Sequence, residues 1–416
     1  MASVYLLLSL TFNFSAIRSL ILNNTRPILP RTYDIIIYGA TGFTGQQCTK
    51  YFLEHVPSDL RWAIAGRNQK RLEALAKTYQ RPWLYADSED LESIDRLCAQ
   101  TRVILSTAGP FTLYSDAVVE ACVRHKTHYV DISGETPWIK SLIDRFHEQA
   151  EKEQTVILPA CGFDSVPSDL GVWLLAQRGE ALKDVDVAFT LKGGFNGGTI
   201  ASAINLAESG QARLIGKRTL LCPPDHKLVE QPKDPKNVRW DNDFARWLVP
   251  FFMGPINTRI VRRSATALNY GPQFRYQEWM QMSGGIKARL TLGALGLFNS
   301  SLQSKVGRNF IKLIAPNPGQ GPNQDTIENG FVKAHFIHRD EHVVLAELTL
   351  KIAGDPGNKV TCESLCEAAF ALAAHEQGEK GGVLTPSVAL GEKLWQRLEL
   401  RGWECFWHST AVTTDL

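Results

Sequence analysis

Between residues 33 and 165, short apolar runs alternate with longer stretches of helical period. The runs are Ile35–Tyr38, Trp62–Ala65, Trp83–Ala86, Val103–Thr107, His128–Ile132 and Thr155–Pro159. Between them, Gln69–Tyr79, Leu91–Ala99 and Ser115–His125 place apolar side chains three and four positions apart, as amphipathic helices do. Near-continuous apolar strands separated by helices predict a parallel sheet covered on both faces. Six such alternations make it doubly wound. Ser115 is positioned to cap the helix that follows it.

Beyond Val166 the pattern changes. Asp169–Gln177 reads as a helix, Val185–Leu191 as an alternating strand, and Thr199–Ser209 as a helix. Residues 220–275 are rich in Pro, Trp and Arg and lack a period, which predicts long loops over a site or partner. Leu290–Phe298 is the most apolar stretch after the N-terminus but is too short to span a bilayer. It predicts a core or interface helix, with membrane contact or an acyl-chain wall as the lesser reading. A breaker-rich loop at 315–330 precedes Phe331–Ile337 and Val343–Ile352, which read as paired antiparallel strands. Two closing helices, about Cys362–His375 and Val388–Leu400, are placed to pack back on the first domain.

The predicted class is therefore α/β: an N-terminal Rossmann-type doubly wound parallel sheet, then a second α+β domain containing an antiparallel sheet. The expected units are an apolar extension at 1–32, a dinucleotide domain at 33–165, a substrate or dimerisation domain at 166–361, and closing helices at 362–416. In the extension, Val4–Leu10 and Leu20–Leu22 are apolar but interrupted, and no basic region precedes them as in a signal peptide. It reads as a weakly membrane-contacting tail, a targeting segment or an unstructured extension, with a peripheral or unstructured tail preferred.

The first apolar run breaks into Gly39-Ala40-Thr41-Gly42-Phe43-Thr44-Gly45. A strand, a tight glycine turn and a helix start present backbone N–H groups and a positive helix end to a pyrophosphate. Arg67 ends the second strand, where an NAD-binding fold usually carries an acid for the ribose 2′-hydroxyl. A guanidinium there can pair with a 2′-phosphate instead, which points to NADP(H); otherwise Arg67 is a solvated residue opening a surface helix. Asp87 ends the third strand, a reasonable neighbour for adenine. Ala108-Gly109-Pro110-Phe111 follows the fourth, at the strand ends where open α/β folds bind ligands; it suits the nicotinamide ribose or is an ordinary proline turn. Asp131, Glu135 and Asp164 also fall at strand ends, as cleft groups, caps or interdomain acceptors. Gly193-Gly194 and the glycines after them are either a cleft-lining loop or a flexible connection.

The 45 basic and 43 acidic side chains nearly cancel, so no net field recommends nucleic acid or an anionic membrane. Eight scattered cysteines suit a reducing, cytoplasmic setting. Cys362 and Cys366 lack a second pair, and His335, His338 and His342 have no ligand spacing and are expected to decorate a hairpin, so no metal is expected. No Tyr-x-x-x-Lys pair occurs, which argues against the Tyr/Lys chemistry of short-chain dehydrogenases.

With these residues in view, the chain resembles the saccharopine dehydrogenase-like oxidoreductases, in particular their trans-acting enoyl reductase branch. The matching segments are Gly39–Gly45, Ala65-Gly66-Arg67, Ala108–Phe111 with Tyr114, Tyr129–Glu135 and Gly162–Gly171. They span the N-terminal domain, and the match thins beyond about residue 210. The resemblance implies an NADP-type Rossmann domain, hydride transfer from NADPH, and an unsaturated acyl or polyketide chain carried on another protein, such as a polyketide synthase. Reduction of a C=C bond leaves an enolate that needs hydrogen-bond donors; Tyr114 and Ser165 are the candidates. Two alternatives stand beside it. One is an amino-acid-type dehydrogenase, with Arg213, Arg259, Arg262 and Arg263 binding carboxylates unless they are merely solvated. The other is a non-catalytic protein of lipid surfaces whose Rossmann domain is only structural.

Overall fold

The computed structural model describes residues 31–194, 197–314, 321–374 and 379–408. The N-terminal extension over residues 1–30, and with it the expectation of a membrane-contacting tail, lies outside the described residues. In chain order the first half comprises β1 (Tyr33–Tyr38), α1 (Phe43–His55), β2 (Trp62–Gly66), α2 (Gln69–Tyr79), β3 (Trp83–Tyr85), α3 (Leu91–Ala99) and β4 (Thr101–Ser106). It continues with α4 (Phe111–Tyr114), α5 (Asp116–His125), β5 (His128–Asp131), α6 (Thr136–Lys152), β6 (Val156–Leu158) and α7 (Val166–Ala176). The second half has β7 (Asp184–Lys192), α8 (Gly197–Glu208), α9 (Ala212–Ile215), β8 (Arg239–Asp241), β9 (Arg246–Pro250), α10 (Gly254–Leu268) and β10 (Arg275–Met282). After these come α11 (Gly285–Gln303), α12 (Lys305–Ile314), α13 (Gln324–Glu328), β11 (Phe331–Asp340), β12 (Val343–Ala353) and α14 (Thr361–Ala373). The last elements are β13 (Gly382–Val383), α15 (Pro386–Ala389), α16 (Gly391–Glu399) and β14 (Glu404–His408).

The first sheet has the order β13-β6-β5-β4-β1-β2-β3, and every pair in it is parallel. Ile35, Ile36 and Ile37 are all fully buried, because helices cover both faces and neither parity of side chain meets water. The α2 and α3 starts are capped by Asn68 and Asp90, whose carboxyl or amide oxygens accept from the N–H groups of Arg71 and Ser93 at 3.0 and 3.2 Å. Ser115 makes no such cap, since α4 already turns the chain into α5. The two-residue β13 arrives from the C-terminal region and is too short to carry a sequence signal.

The second sheet runs β14-β12-β11-β7-β10-β9-β8. The β7–β10 pair is parallel, and the other pairs are antiparallel. Within the stretch expected to be loops lies α10, a 15-residue helix. Its buried positions interleave Arg259, Arg262 and Arg263 with Ile260, Val261 and Ala265, which breaks the apolar period that would reveal it. Arg262 donates to the Arg218 and Tyr276 carbonyls at 2.9 and 2.7 Å. Arg263 donates to those of Leu221 and Val383 at 2.7 and 2.8 Å. Arg259 holds Asp234 and the Ile215 carbonyl. These arginines are buried rather than solvated, and they donate both to carbonyls of the irregular 215–235 segment and to the strand carbonyls of Tyr276 and Val383.

Two other expectations change. The 290–298 run belongs to α11, and Leu290 and Leu297 point outward, so it is not a core helix. His338 does not decorate the hairpin surface: it is buried and accepts from the Lys183 N–H at 3.0 Å.

Helix α14 is buried along its whole length and packs on α1, β4 and β5. A continuous apolar core therefore passes from Ile35 and Val103 through Leu365 to Val187 and Leu350. Glu367 on α14 accepts from Tyr51, Arg397 and Arg401, each at 2.7 Å, tying α16 to α1. On α7, Gly171 lies against the ring of Phe336, where a Cβ would come within 2.1 Å of Cζ. Phe336 is fully buried and has no room to turn aside. Gly171→Ala is expected to destabilise the fold by about 1–3 kcal/mol through overpacking, read as a lowered urea midpoint at constant slope. An unchanged midpoint would mean that this contact does not hold α7 to the second sheet.

Candidate active site

Between the two sheets lies a cleft of about 1470 Å³, larger than the roughly 300–1,000 Å³ of a pocket for one small ligand. Its floor is the C-terminal edge of the first sheet. Following the strand order β2, β1, β4, β5, β6, the groups presented there are Arg67, Gly39–Thr44, Ala108-Gly109, Gly134-Glu135 and Asp164. Four strand spacings put about 19 Å between the two ends of that series, enough for an extended dinucleotide with a substrate beyond it.

The turn from β1 to α1 is built by close approach. Gly39 has φ +84°, and a Cβ there would lie 2.9 Å from the Thr107 hydroxyl oxygen. At Gly45 a Cβ would come within 2.3 Å of the Gly39 carbonyl oxygen and 2.7 Å of the Ala40 Cα. The first-turn N–H groups of α1 have no preceding carbonyl to bind. Gly42 offers no capping side chain, and no acid occupies the first turn. The combination is an anion cradle. Two guanidiniums, Arg67 and Arg71, line the cleft at the β2 end. Arg71 stands one helical turn beyond Arg67 in α2, a spacing that could have marked it in the sequence. The ring of Tyr114 lies 5.3 Å from the Arg67 guanidinium carbon.

The carboxyl groups at the strand ends have different surroundings. Glu135 is buried and accepts from the N–H groups of Phe111 and Thr112 at 2.9 and 3.0 Å, and also from the Thr112 hydroxyl. Ser202 of α8 donates to it at 3.1 Å, so Glu135 fixes the Ala108–Phe111 turn and ties it to the second domain. Asp131 lies beneath the floor. It accepts from Tyr129, Ser133 and Ala160 at 2.8, 2.8 and 3.3 Å, and burial pushes its carboxyl up to about 7. Asp164 lines the cleft and has no hydrogen-bond partner among the described residues; burial alone raises it to about 6. A Cβ on Gly134 would stand 4.0 Å from its Oδ2, which sets Asp164 beside the end of β5. The opposite wall is apolar, formed by Phe251, Phe252, Ile200, Leu206, Leu292 and Leu295.

Of the residues expected to hold a nucleotide, Gly39, Thr41, Gly42, Phe43, Thr44, Arg67, Ala108, Gly109 and Phe111 line the cleft. Gly45 acts one layer below, through packing. Asp87 is engaged locally, with its carboxylate accepting from the Glu89 N–H at 3.2 Å, and Ser88 lines the cleft in its place. Pro110 is not part of the lining. Neither proposed enolate donor faces the cleft beside Asp164. Tyr114 belongs to the Arg67 end, and Ser165 is fully buried with its hydroxyl 3.5 Å from the Asn257 amide oxygen. Gly193 and Gly194 line the cleft, whereas residues 195–196 lie outside the described residues. No group of three His, Cys, Asp or Glu side chains suited to a metal occurs among the described residues.

Comparison with known proteins agrees with this geometry. Residues 35–158 match the saccharopine dehydrogenase NADP binding domain. A Mycobacterium tuberculosis protein with the provisional name of a trans-acting enoyl reductase is 36% identical over 406 residues, covering 90% of this chain and 97% of the relative. The trans-acting enoyl reductase of Mycobacterium ulcerans is 31% identical over 418 residues, covering 89% and 97%. In fold, saccharopine dehydrogenase (L-Glu forming) from Saccharomyces cerevisiae superposes with a TM-score of 0.54 at 13% identity, covering 91% of this chain and 100% of that one. The chain belongs to the saccharopine dehydrogenase-like family, within the branch that includes the trans-acting enoyl reductases, and it is an NADP-dependent oxidoreductase.

The cradle that a Cβ would fill and the paired guanidiniums fit NADP(H). Arg67→Gln is expected to weaken NADPH binding about 10–100-fold through loss of a charge-assisted phosphate contact, while NADH binding stays unchanged. Titration of nicotinamide fluorescence with each nucleotide checks this. Equal losses for both would take Arg67 away from the 2′-phosphate.

Proposed function

We propose that this oxidoreductase reduces the C=C bond of an enoyl group in an acyl or polyketide-type chain that a separate carrier protein delivers. The observation that carries the reading is the continuity of one cleft: an NADP cradle at one end, an apolar wall at the other, and between them a carboxyl, Asp164, that is unpartnered among the described residues. The names of the relatives support the substrate class, and the apolar wall gives an acyl chain a surface on which to leave water.

NADPH, when bound, supplies the hydride, which enters at the β-carbon of the enoyl group. The remaining work falls to this chain. The Gly39–Thr44 turn with Arg67 and Arg71 would hold the phosphates, and Glu135 fixes the Ala108–Phe111 turn at the next strand end, where it would meet the rest of the nucleotide. Asp164 gives its proton to the α-carbon of the resulting enolate and is recharged from solvent, so that one hydride and one proton account for the saturated product. Tyr114 serves the nucleotide end, stacked with Arg67. Ser165 acts indirectly, within the buried set formed by Asn257 and Glu278, where Asn257 donates to Glu278 at 2.9 Å.

The acid form of Asp164 is the active one. Turnover at saturating substrate is therefore expected to stay level below pH 6 and to fall about tenfold per unit as pH rises above the folded value of about 6. Asp164→Asn is expected to lower kcat about 10²–10⁴-fold and to abolish that limb, with NADPH affinity unchanged. NADPH oxidation with soluble enoyl thioesters is the assay. Turnover that keeps its rate and its pH profile in the variant would remove Asp164 as the proton donor, and absence of turnover with every enoyl thioester would count against the substrate class.

A further inference from the structure

Helices α11 and α12 form a hairpin whose corner is glycine-dependent: a Cβ on Gly307 would come within 2.3 Å of the Ser301 carbonyl oxygen. Its inner face packs on the protein through Ala288, Leu302 and Ile311, which are buried. The outer face is apolar and bare. Along α11, Ile286, Leu290 and Leu297 are spaced i, i+4, i+11 and are 77%, 70% and 72% exposed. Along α12, Val306, Phe310 and Leu313 are spaced i, i+4, i+7 and are 80%, 58% and 81% exposed. Isolated exposed apolar side chains are ordinary, but two adjoining stripes of large ones are not.

Charge identifies what the stripes fit. Between Glu278 and Asp325 the sequence contains no acidic residue, yet it carries Lys287, Arg289, Lys305, Arg308 and Lys312. Glu208 of α8 pairs with Arg308 and Lys312, at 3.4 and 3.1 Å, so Lys287, Arg289 and Lys305 flank the apolar face without any acid on the hairpin itself. A second copy of this face would set like charges against each other. An anionic lipid surface accepts both features: apolar stripes enter the acyl boundary while long cationic side chains reach the headgroups. No described helix is long and apolar enough to cross a membrane, so the fitting mode is lying in the interface. The opposite side of α11 contributes Leu292 and Leu295 to the cleft wall, so this docking surface adjoins the site.

We propose that the α11–α12 hairpin is an interfacial docking surface for anionic phospholipid bilayers. This is independent of the reductase reading, because it is measured without substrate. The test floats the full-length protein with vesicles of phosphatidylcholine containing about one-third phosphatidylserine, and with phosphatidylcholine alone. Binding is expected to be stronger on the anionic vesicles and to weaken as salt rises. The variant Leu290→Gln/Leu297→Gln/Phe310→Gln/Leu313→Gln should bind at least about tenfold more weakly, with NADPH affinity and thermal unfolding retained. Lys287→Gln/Arg289→Gln/Lys305→Gln should lose the preference for phosphatidylserine, at about fivefold per charge removed; it decides the matter alone if the apolar variant fails to fold. Three results would overturn the proposal: no binding of the wild-type protein to either vesicle, undiminished anionic binding by both variants, or a dimer or complex with a soluble protein, in place of vesicle binding, that the same substitutions dissociate.

Discussion

The structure depends on a distance too short for one carbon atom, the approach of Gly45 to the carbonyl of Gly39. That contact lets α1 begin directly at the end of β1, with its free N–H groups at the edge of the sheet rather than over its face. Once the helix start is fixed there, the parallel order of the strands dictates the rest. Each neighbouring strand end delivers its following turn to the same line, so residues far apart in sequence become a series ordered from Arg67 to Asp164. Helix α14 closes the arrangement from beneath, since its burial between the sheets holds the second domain over that line.

The two carboxyl groups at the far end of the series show how environment divides labour between like side chains. Glu135 has hydrogen-bond donors for both of its oxygens, and those donors belong to the turn after β4 and to α8. Its charge is used up in holding shape. Asp164, one strand away, has none among the described residues, and desolvation without compensation raises it to about 6, so that a fraction keeps its proton near neutral pH. A proton available for transfer requires that lack of partners. The same reasoning sets Asp131 apart: its raised value comes with three donors and no access to the cleft, so it is a strut for the β5–β6 junction.

Much of this was legible in the chain, for a physical reason. Parallel strands buried on both faces leave continuous apolar runs, and the first six strands and the helices between them follow those runs closely. Helix α10 was illegible because its inward positions mix arginines with apolar residues; the arginines satisfy carbonyls of the 215–235 segment and of two strands, and nothing in the sequence of α10 says that those carbonyls lie opposite. Asp164 and Ser165 are adjacent in the sequence, and only tertiary packing turns one toward the cleft and buries the other. Tyr114 was similarly ambiguous, because the path of α4 back toward Arg67 depends on the contacts of Glu135. Arg71 was within reach, one turn along a correctly placed helix.

The hairpin of α11 and α12 marks a different limit. An apolar stripe has the same composition whether it faces a protein core or an acyl boundary, so hydrophobicity alone favoured a core or interface helix over membrane contact. Whole-chain charge was equally uninformative, since near-zero totals conceal a 46-residue stretch, residues 279–324, without a single acid. The discriminating quantity is the coincidence of the two patterns on one face. A core helix has no use for flanking cations, because burying them without partners costs more than the apolar contacts return. Cations beside two stripes of exposed leucines fit a boundary where the leucines meet hydrocarbon and the cations remain at a polar surface. That condition is local, and it holds however neutral the rest of the molecule is.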